Sequence, residues 1–153
     1  MPLAPRNTIN VYLHLVWGTY LRYPLITADK EAALFRCIEA ECARLGCEIL
    51  ATGGMPDHVH LAVTLPTPLS VAKLMQQVKG VSSAFARDQL FAGEFFGWQE
   101  GYGAFSFSHS QCSKIIDYIK NQKLHHAKQT LWTSVEAAIP QPPTSSPPSG
   151  TDG

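Results

Sequence analysis

At 153 residues and 16.8 kDa, the chain has room for one ordinary domain and not for two. A composition that is 45% hydrophobic and 16% charged supports a packed core and excludes wholesale disorder, and no apolar run approaches the roughly 18 residues of a bilayer span. Twelve Lys and Arg cancel twelve Asp and Glu, so the net balance announces no polyanionic partner.

The distribution of charge says more. Between Ser110 and Thr130, Lys114, Lys120, Lys123 and Lys128 face only Asp117, with His125 and His126 beside them. Such a segment fits a solvated helix face or a surface for a polyanion. Met1-Pro2-Leu3-Ala4-Pro5-Arg6 has no basic region leading into an apolar stretch, so no secretory signal and a cytoplasmic location are expected. Cys37, Cys42, Cys47 and Cys112 contain no CxxC pair, so reduced, partly buried thiols are expected rather than a zinc ribbon or a redox dithiol.

In chain order, the β-branched and aromatic residues from Thr8 to Trp17 predict a first strand. Thr27 is placed to cap a helix reaching about Leu45, with Phe35, Ile38, Cys42 and Leu45 as its apolar stripe and Gly46 as its stop. Cys47 to Ala51 predicts a short second strand, Gly53-Gly54-Met55-Pro56 a turn, and Asp57 to Leu65 a third strand. A second helix starts near Thr67 or Ser70 and carries Val71, Leu74, Met75, Val78 and Phe85 at helical spacing. The aperiodic, glycine-punctuated stretch from Phe91 to Trp98 reads as a loop, and Tyr102 to Phe107 as a fourth strand. Ser108-His109-Ser110-Gln111 is a capping-box signature for a third helix running to about Gln129. Pro140, Pro142, Pro143, Pro147 and Pro148 sit among Ser, Thr and Gly, so residues 132–153 are assigned to a disordered tail beyond a domain of residues 1–131. The order is β-α-β-β-α-β plus a terminal helix. That is a ferredoxin-like α+β arrangement, with an antiparallel sheet, helices on one face and the other face free.

Chemistry concentrates on the third strand. Side chains alternate across a strand, so Val59, Leu61, Val63 and Leu65 take one face and His58, His60, Ala62 and Thr64 the other. The apolar set fits the helix-covered side, which leaves two imidazoles side by side on the open face, spaced to share one divalent ion. The same pattern also fits two structural histidines. On the last helix, Cys112, Ile115, Ile116 and Ile119 form the apolar stripe, while Lys114, Tyr118, Gln122 and His125 line one flank. That flank suits a phosphate-handling surface, or simply a boundary tyrosine with a buried ring and a wet hydroxyl.

Four strings stand in order along the chain: Met55-Pro56-Asp57-His58-Val59-His60-Leu61, Lys79-Gly80-Val81-Ser82-Ser83, Trp98 to Ser106, and Tyr118-Ile119-Lys120-Asn121-Gln122 followed by His125-His126. Together they resemble the HUH single-tyrosine transposases of small bacterial insertion sequences, the IS-two-hundred-like type, with the REP-associated tyrosine transposases as close relatives. The resemblance spans about residues 8–128. It implies that His58, His60 and Gln122 ligate a divalent metal, Mg²⁺ or Mn²⁺, and that Tyr118 attacks a phosphodiester of single-stranded DNA. A 5′-phosphotyrosine bond and a free 3′-OH would follow, and the bond energy conserved in that ester would allow rejoining without ATP. A hairpin or palindromic DNA end is the implied partner, with Lys79, Trp98, Lys114 and His125 as DNA-binding candidates. A homodimer is also implied, whose active sites can combine the histidines of one subunit with the tyrosine of the other. The chain departs from the family after His126, where Trp132 to Ile139 and the proline-rich tail replace the usual charged helical segment.

Two other classes compete. A non-catalytic nucleic-acid module would use the same sheet face, with Tyr102, Phe105 or Phe107 stacking on bases. A hydrolytic phosphoesterase of HxHxH type fails because position 62 is Ala.

Overall fold

The structure, a computed structural model, describes residues 7–139. Its elements are β1 (Tyr12–Gly18), α1 (Ala28–Arg44), β2 (Ile49–Met55), β3 (His58–Thr64), α2 (Val71–Phe85), β4 (Gly103–Phe107), α3 (Cys112–Lys120), α4 (Gln122–Lys128) and α5 (Thr133–Glu136). The strands form one sheet in the order β2-β3-β1-β4, and every neighbouring pair is antiparallel. This is the expected ferredoxin-like α+β topology.

Alternation sorts the side chains between two layers. Leu13, Leu15 and Trp17 of β1 and Val59, Leu61 and Val63 of β3 are buried against Leu34, Ile38 and Cys42 of α1 and Leu74, Met75 and Val78 of α2. Each such side chain contributes about 1.5–3 kcal/mol by leaving water. The cysteines are free thiols; burial pushes Cys42 up to about 12, so it stays protonated and packs as an apolar residue.

The other sheet face is not free, contrary to the expectation. Ile119 of α3, with Ile115 and Ile116 beside it, packs on Ala51 of β2 and Ala62 of β3. Val135 of α5 and Ile139 pack on Val16 of β1, together with Phe105 of β4. Residues 132–139, assigned from sequence to the tail, therefore pack with the domain, because Val135 of α5 and Ile139 of the turn after it are both buried against the sheet. The proline-rich residues 140–153 and the N-terminal residues 1–6 lie outside the described residues.

Several boundaries also differ. β1 starts at Tyr12 rather than Thr8, and β4 at Gly103. β2 runs through the expected turn, and the chain reverses at Pro56–Asp57 instead. The glycines there serve close approach: a Cβ on Gly53 would stand 2.0 Å from the Ile119 carbonyl oxygen of α3. The last helix divides at Asn121, whose side-chain amide donates to the Asp117 carbonyl at 2.8 Å and competes with the helical ladder. Ser70 caps α2 by accepting from the Lys73 N–H at 3.0 Å. Thr27 holds the cap position of α1, but its hydroxyl donates to the Asp29 carboxylate at 2.6 Å instead.

Candidate active site

β3 carries His58 and His60 on the face that α3, α4 and α5 cover, and both imidazoles are fully buried. Tyr118 projects from α3 above them and is only 1% exposed, while Gln122 opens α4 one turn later and is equally buried. The sequence folds this way locally because the Ile115, Ile116 and Ile119 stripe docks α3 on the small residues Ala51, Gly53 and Ala62. The tyrosine flank is thereby turned toward the histidines.

The contacts are dense. His58 Nδ1 lies 2.8 Å from Asp57 Oδ1, and Asp57 Oδ2 pairs with Arg22 at 2.9 Å. Leu21 and Arg22 hold left-handed backbone conformations (φ 50° and 60°) on the turn that carries Arg22 to Asp57, a local strain of about 1–3 kcal/mol each that the fold sustains. His58 Nε2 faces Gln122 Oε1 at 3.3 Å and His126 Nε2 at 3.3 Å. His60 Nδ1 is bonded to His14 Nε2 at 2.9 Å. Glu136 of α5 enters the same cluster: Oε1 is 3.1 Å from His60 Nε2, and Oε2 is 3.5 Å from His58 Nε2. The Tyr118 hydroxyl donates to Glu136 Oε1 at 2.6 Å and accepts from the Trp132 N–H at 3.1 Å. Its ring stacks on the Trp132 indole at 3.9 Å and lies 4.9 Å from the His125 ring.

Burial and charge set the protonation states. Burial, with the charges of His60 and Glu136 acting in opposite senses, depresses His14 to about 3, so it is neutral near pH 7. Burial also lowers His60, against the pull of the Glu136 carboxylate. Burial alone would raise Glu136, but its contacts with His60, Tyr118 and His58 prevail and bring it to about 2. Burial, aided by the Glu136 contact, pushes the Tyr118 phenol up to about 12. The hydroxyl is thus held protonated against an ionised carboxylate.

The donor set fits a divalent cation. His58, His60 and Glu136 each offer a ligand atom, and the three atoms lie within 4.8 Å of one another. His60 Nε2 is buried and has no hydrogen-bond partner among the described residues, although Glu136 Oε1 lies 3.1 Å away. A nitrogen in that condition is available to a metal.

Residues 7–122 match the family described as Transposase IS200 like. The chain belongs to that family. The IS200-like transposase is 24% identical over 116 residues to the ISDra2 transposase TnpA of Deinococcus radiodurans, covering 71% of this chain and 81% of the relative. It is 27% identical over 119 residues to the transposase for insertion sequence element IS200 of Salmonella typhimurium, covering 74% and 77%. Two solved structures share its fold. One is a candidate transposase of Deinococcus radiodurans R1, with TM-score 0.58, 22% identity, and 80% and 98% of the two chains covered. The other is a REP-associated tyrosine transposase bound to a REP hairpin, with TM-score 0.59, 18% identity, and 82% and 74% covered.

In this transposase, His58, His60, Tyr118 and Gln122 lie together within one chain. Lys114 also stands nearby, with its ammonium 5.6 Å from the Trp132 ring centroid. Lys79 and Trp98 do not join them. Lys79 donates to the carbonyls of Gln99 and Gly101 at 2.7 and 2.9 Å, and Trp98 packs on Trp17 and Phe96 in the opposite layer while donating to Ser82. Sequence reading missed His14 and Glu136. His14 shares the alternating face of β1 with Tyr12 and Val16, a legible signal that lacked only the strand register. Glu136 is the one acidic residue of a short turn flanked by Trp132, Val135 and Ile139.

Proposed function

We propose that this transposase cleaves and rejoins single-stranded DNA through a 5′-phosphotyrosine on Tyr118, with His58, His60 and Gln122 holding Mg²⁺ or Mn²⁺. The observation that carries this reading is the position of the Tyr118 hydroxyl. It lies one carboxylate away from both motif histidines, within one chain. A bound divalent ion would polarise and orient the scissile phosphate. Tyr118 loses its proton as its oxygen bonds to phosphorus, the P–O3′ bond breaks, and the departing oxygen takes up a proton as a 3′-OH. The reverse attack by a 3′-OH restores a phosphodiester and frees the phenol. The present hydroxyl is engaged by Glu136 and the Trp132 N–H, so these two hydrogen bonds have to open before a phosphate reaches it.

Lys120 and Lys123 line a cleft with Gly53 and Gly54 that opens beside Gln122, a route for a DNA strand to the site. Lys114 and His125 remain DNA-binding candidates on the Tyr118 flank. Lys79 and Trp98 would act only indirectly, by shaping the loop between α2 and β4. The likeness to a relative bound to a REP hairpin supports hairpin DNA as the substrate, and a homodimer and a cytoplasmic setting accompany the reading. Against a non-catalytic module, Phe105 packs on Val16 and Phe107 stacks on Tyr12 at 5.6 Å, which leaves Tyr102 as the one exposed ring of the three.

The test is incubation with Mn²⁺ and hairpin-bearing single-stranded DNA labelled on the 3′ side of the cut, resolved on a denaturing gel. Wild type should give a protein-linked band, and Tyr118→Phe should bind DNA without forming it. Free cleaved DNA from both proteins would mean that water is the nucleophile. Binding without cleavage by either would favour the module.

A further inference from the structure

We propose that Glu136 is a carboxylate ligand of the metal site, supplied by a segment that lies beyond the residues shared with the family. The inference rests on the reading that His58 and His60 hold the metal. Donor atoms on neighbouring vertices around an ion with bonds of about 2.1 Å stand about 3 Å apart. Glu136 Oε1 is 3.1 Å from His60 Nε2, and Oε2 is 3.5 Å from His58 Nε2, so the carboxylate already holds near-ligand spacing to both nitrogens. His60 Nε2 stands this close without a hydrogen bond to it.

Charge supports the same assignment. Imidazole nitrogens and the Gln122 amide bring no negative charge, and a buried dication among such donors lacks a compensating anion. Asp57 does not fill that role, because it lies on the far nitrogen of His58 and is paired with Arg22. Glu136 brings a full negative charge to the donor atoms themselves. Two nitrogens and a carboxylate also suit Mn²⁺ better than Mg²⁺, which favours oxygen. Since the same carboxylate accepts the Tyr118 hydroxyl at 2.6 Å, Glu136 joins the metal site to the nucleophile.

Mn²⁺ binding to the full chain without DNA, followed by loss of the free-ion electron paramagnetic resonance signal, separates the possibilities. Glu136→Gln keeps the side-chain shape and removes the charge. It should weaken Mn²⁺ at least tenfold, measured where both proteins are still folded in EDTA. Glu136→Asp, which keeps the charge at shorter reach, should fall between Gln and wild type, and it provides the comparison if the Gln protein does not fold. Tyr118→Phe should bind Mn²⁺ within about twofold of wild type. If His60→Ala abolishes binding while Glu136→Gln and Glu136→Asp match wild type, the Glu136 assignment is wrong and the histidine site stands. If wild type takes up no Mn²⁺, or His60→Ala still binds it, the metal reading fails and this inference with it.

Discussion

A neutral imidazole carries one donor and one acceptor, and His60 has its Nδ1 turned to His14 Nε2 at 2.9 Å. If Nδ1 is the donor, Nε2 keeps its lone pair toward the cluster, which is the tautomer a metal ligand needs. His14 is then a positioning residue, held neutral by burial and free to accept. His14→Ala should weaken Mn²⁺ binding about 10–100-fold, the usual cost of losing such a partner. His14→Gln offers an amide oxygen in the acceptor's place and should restore most of the affinity. Calorimetric titration with Mn²⁺ checks both, and equal losses in Ala and Gln would reduce His14 to a packing role.

Among the elements, β3 was the most legible. Its strict alternation told which residues meet the helices and which carry chemistry, and the structure keeps that division. β2 runs past its expected end because glycines signal turns in sequence, whereas Gly53 and Gly54 continue a strand under a closely packed helix. Nothing local in the sequence reveals that α3 will lie there. Likewise, Tyr118 and Gln122 were legible from helical spacing, but the break at Asn121 and the return of Glu136 depend on tertiary packing. Gly53→Ala tests the contact directly. Its methyl would overlap the Ile119 carbonyl, so α3 should shift and thermal stability should fall by about 1–3 kcal/mol. Adduct formation should drop more steeply than DNA binding, because Tyr118 rides on the displaced helix. Unchanged melting and adduct yield would show that the close approach is not maintained in solution.

For the whole molecule, the buried histidines make acid the vulnerable direction. Unfolded, His14 takes a proton near its ordinary 6.5; folded, only near 3. Between those values the unfolded chain binds more protons, so stability present above pH 6.5 is lost as pH falls. The slope is at most about 1.4 kcal/mol per pH unit for one group. His60 and His126 are shifted in the same direction, and Glu136, lowered from 4.5 to about 2, adds to the loss below pH 4.5. Urea midpoints in EDTA should therefore decline from pH 7 to pH 5, less steeply in His14→Gln, whereas a flat or rising profile would contradict the buried neutral state. Assembly is tested separately. Tyr118 meets the histidines of its own chain, so mixed dimers of Tyr118→Phe and His58→Ala subunits should be inactive. Recovered activity would place the tyrosine across the dimer.

The most direct test of the central claim is peptide mass spectrometry of the protein after reaction with hairpin DNA and Mn²⁺, followed by nuclease and protease digestion. A 5′-phosphate-linked nucleotide on the peptide containing Tyr118, absent from His60→Ala, is the predicted result. A nucleotide on another residue, or full cleavage with an unmodified Tyr118 peptide, would contradict it.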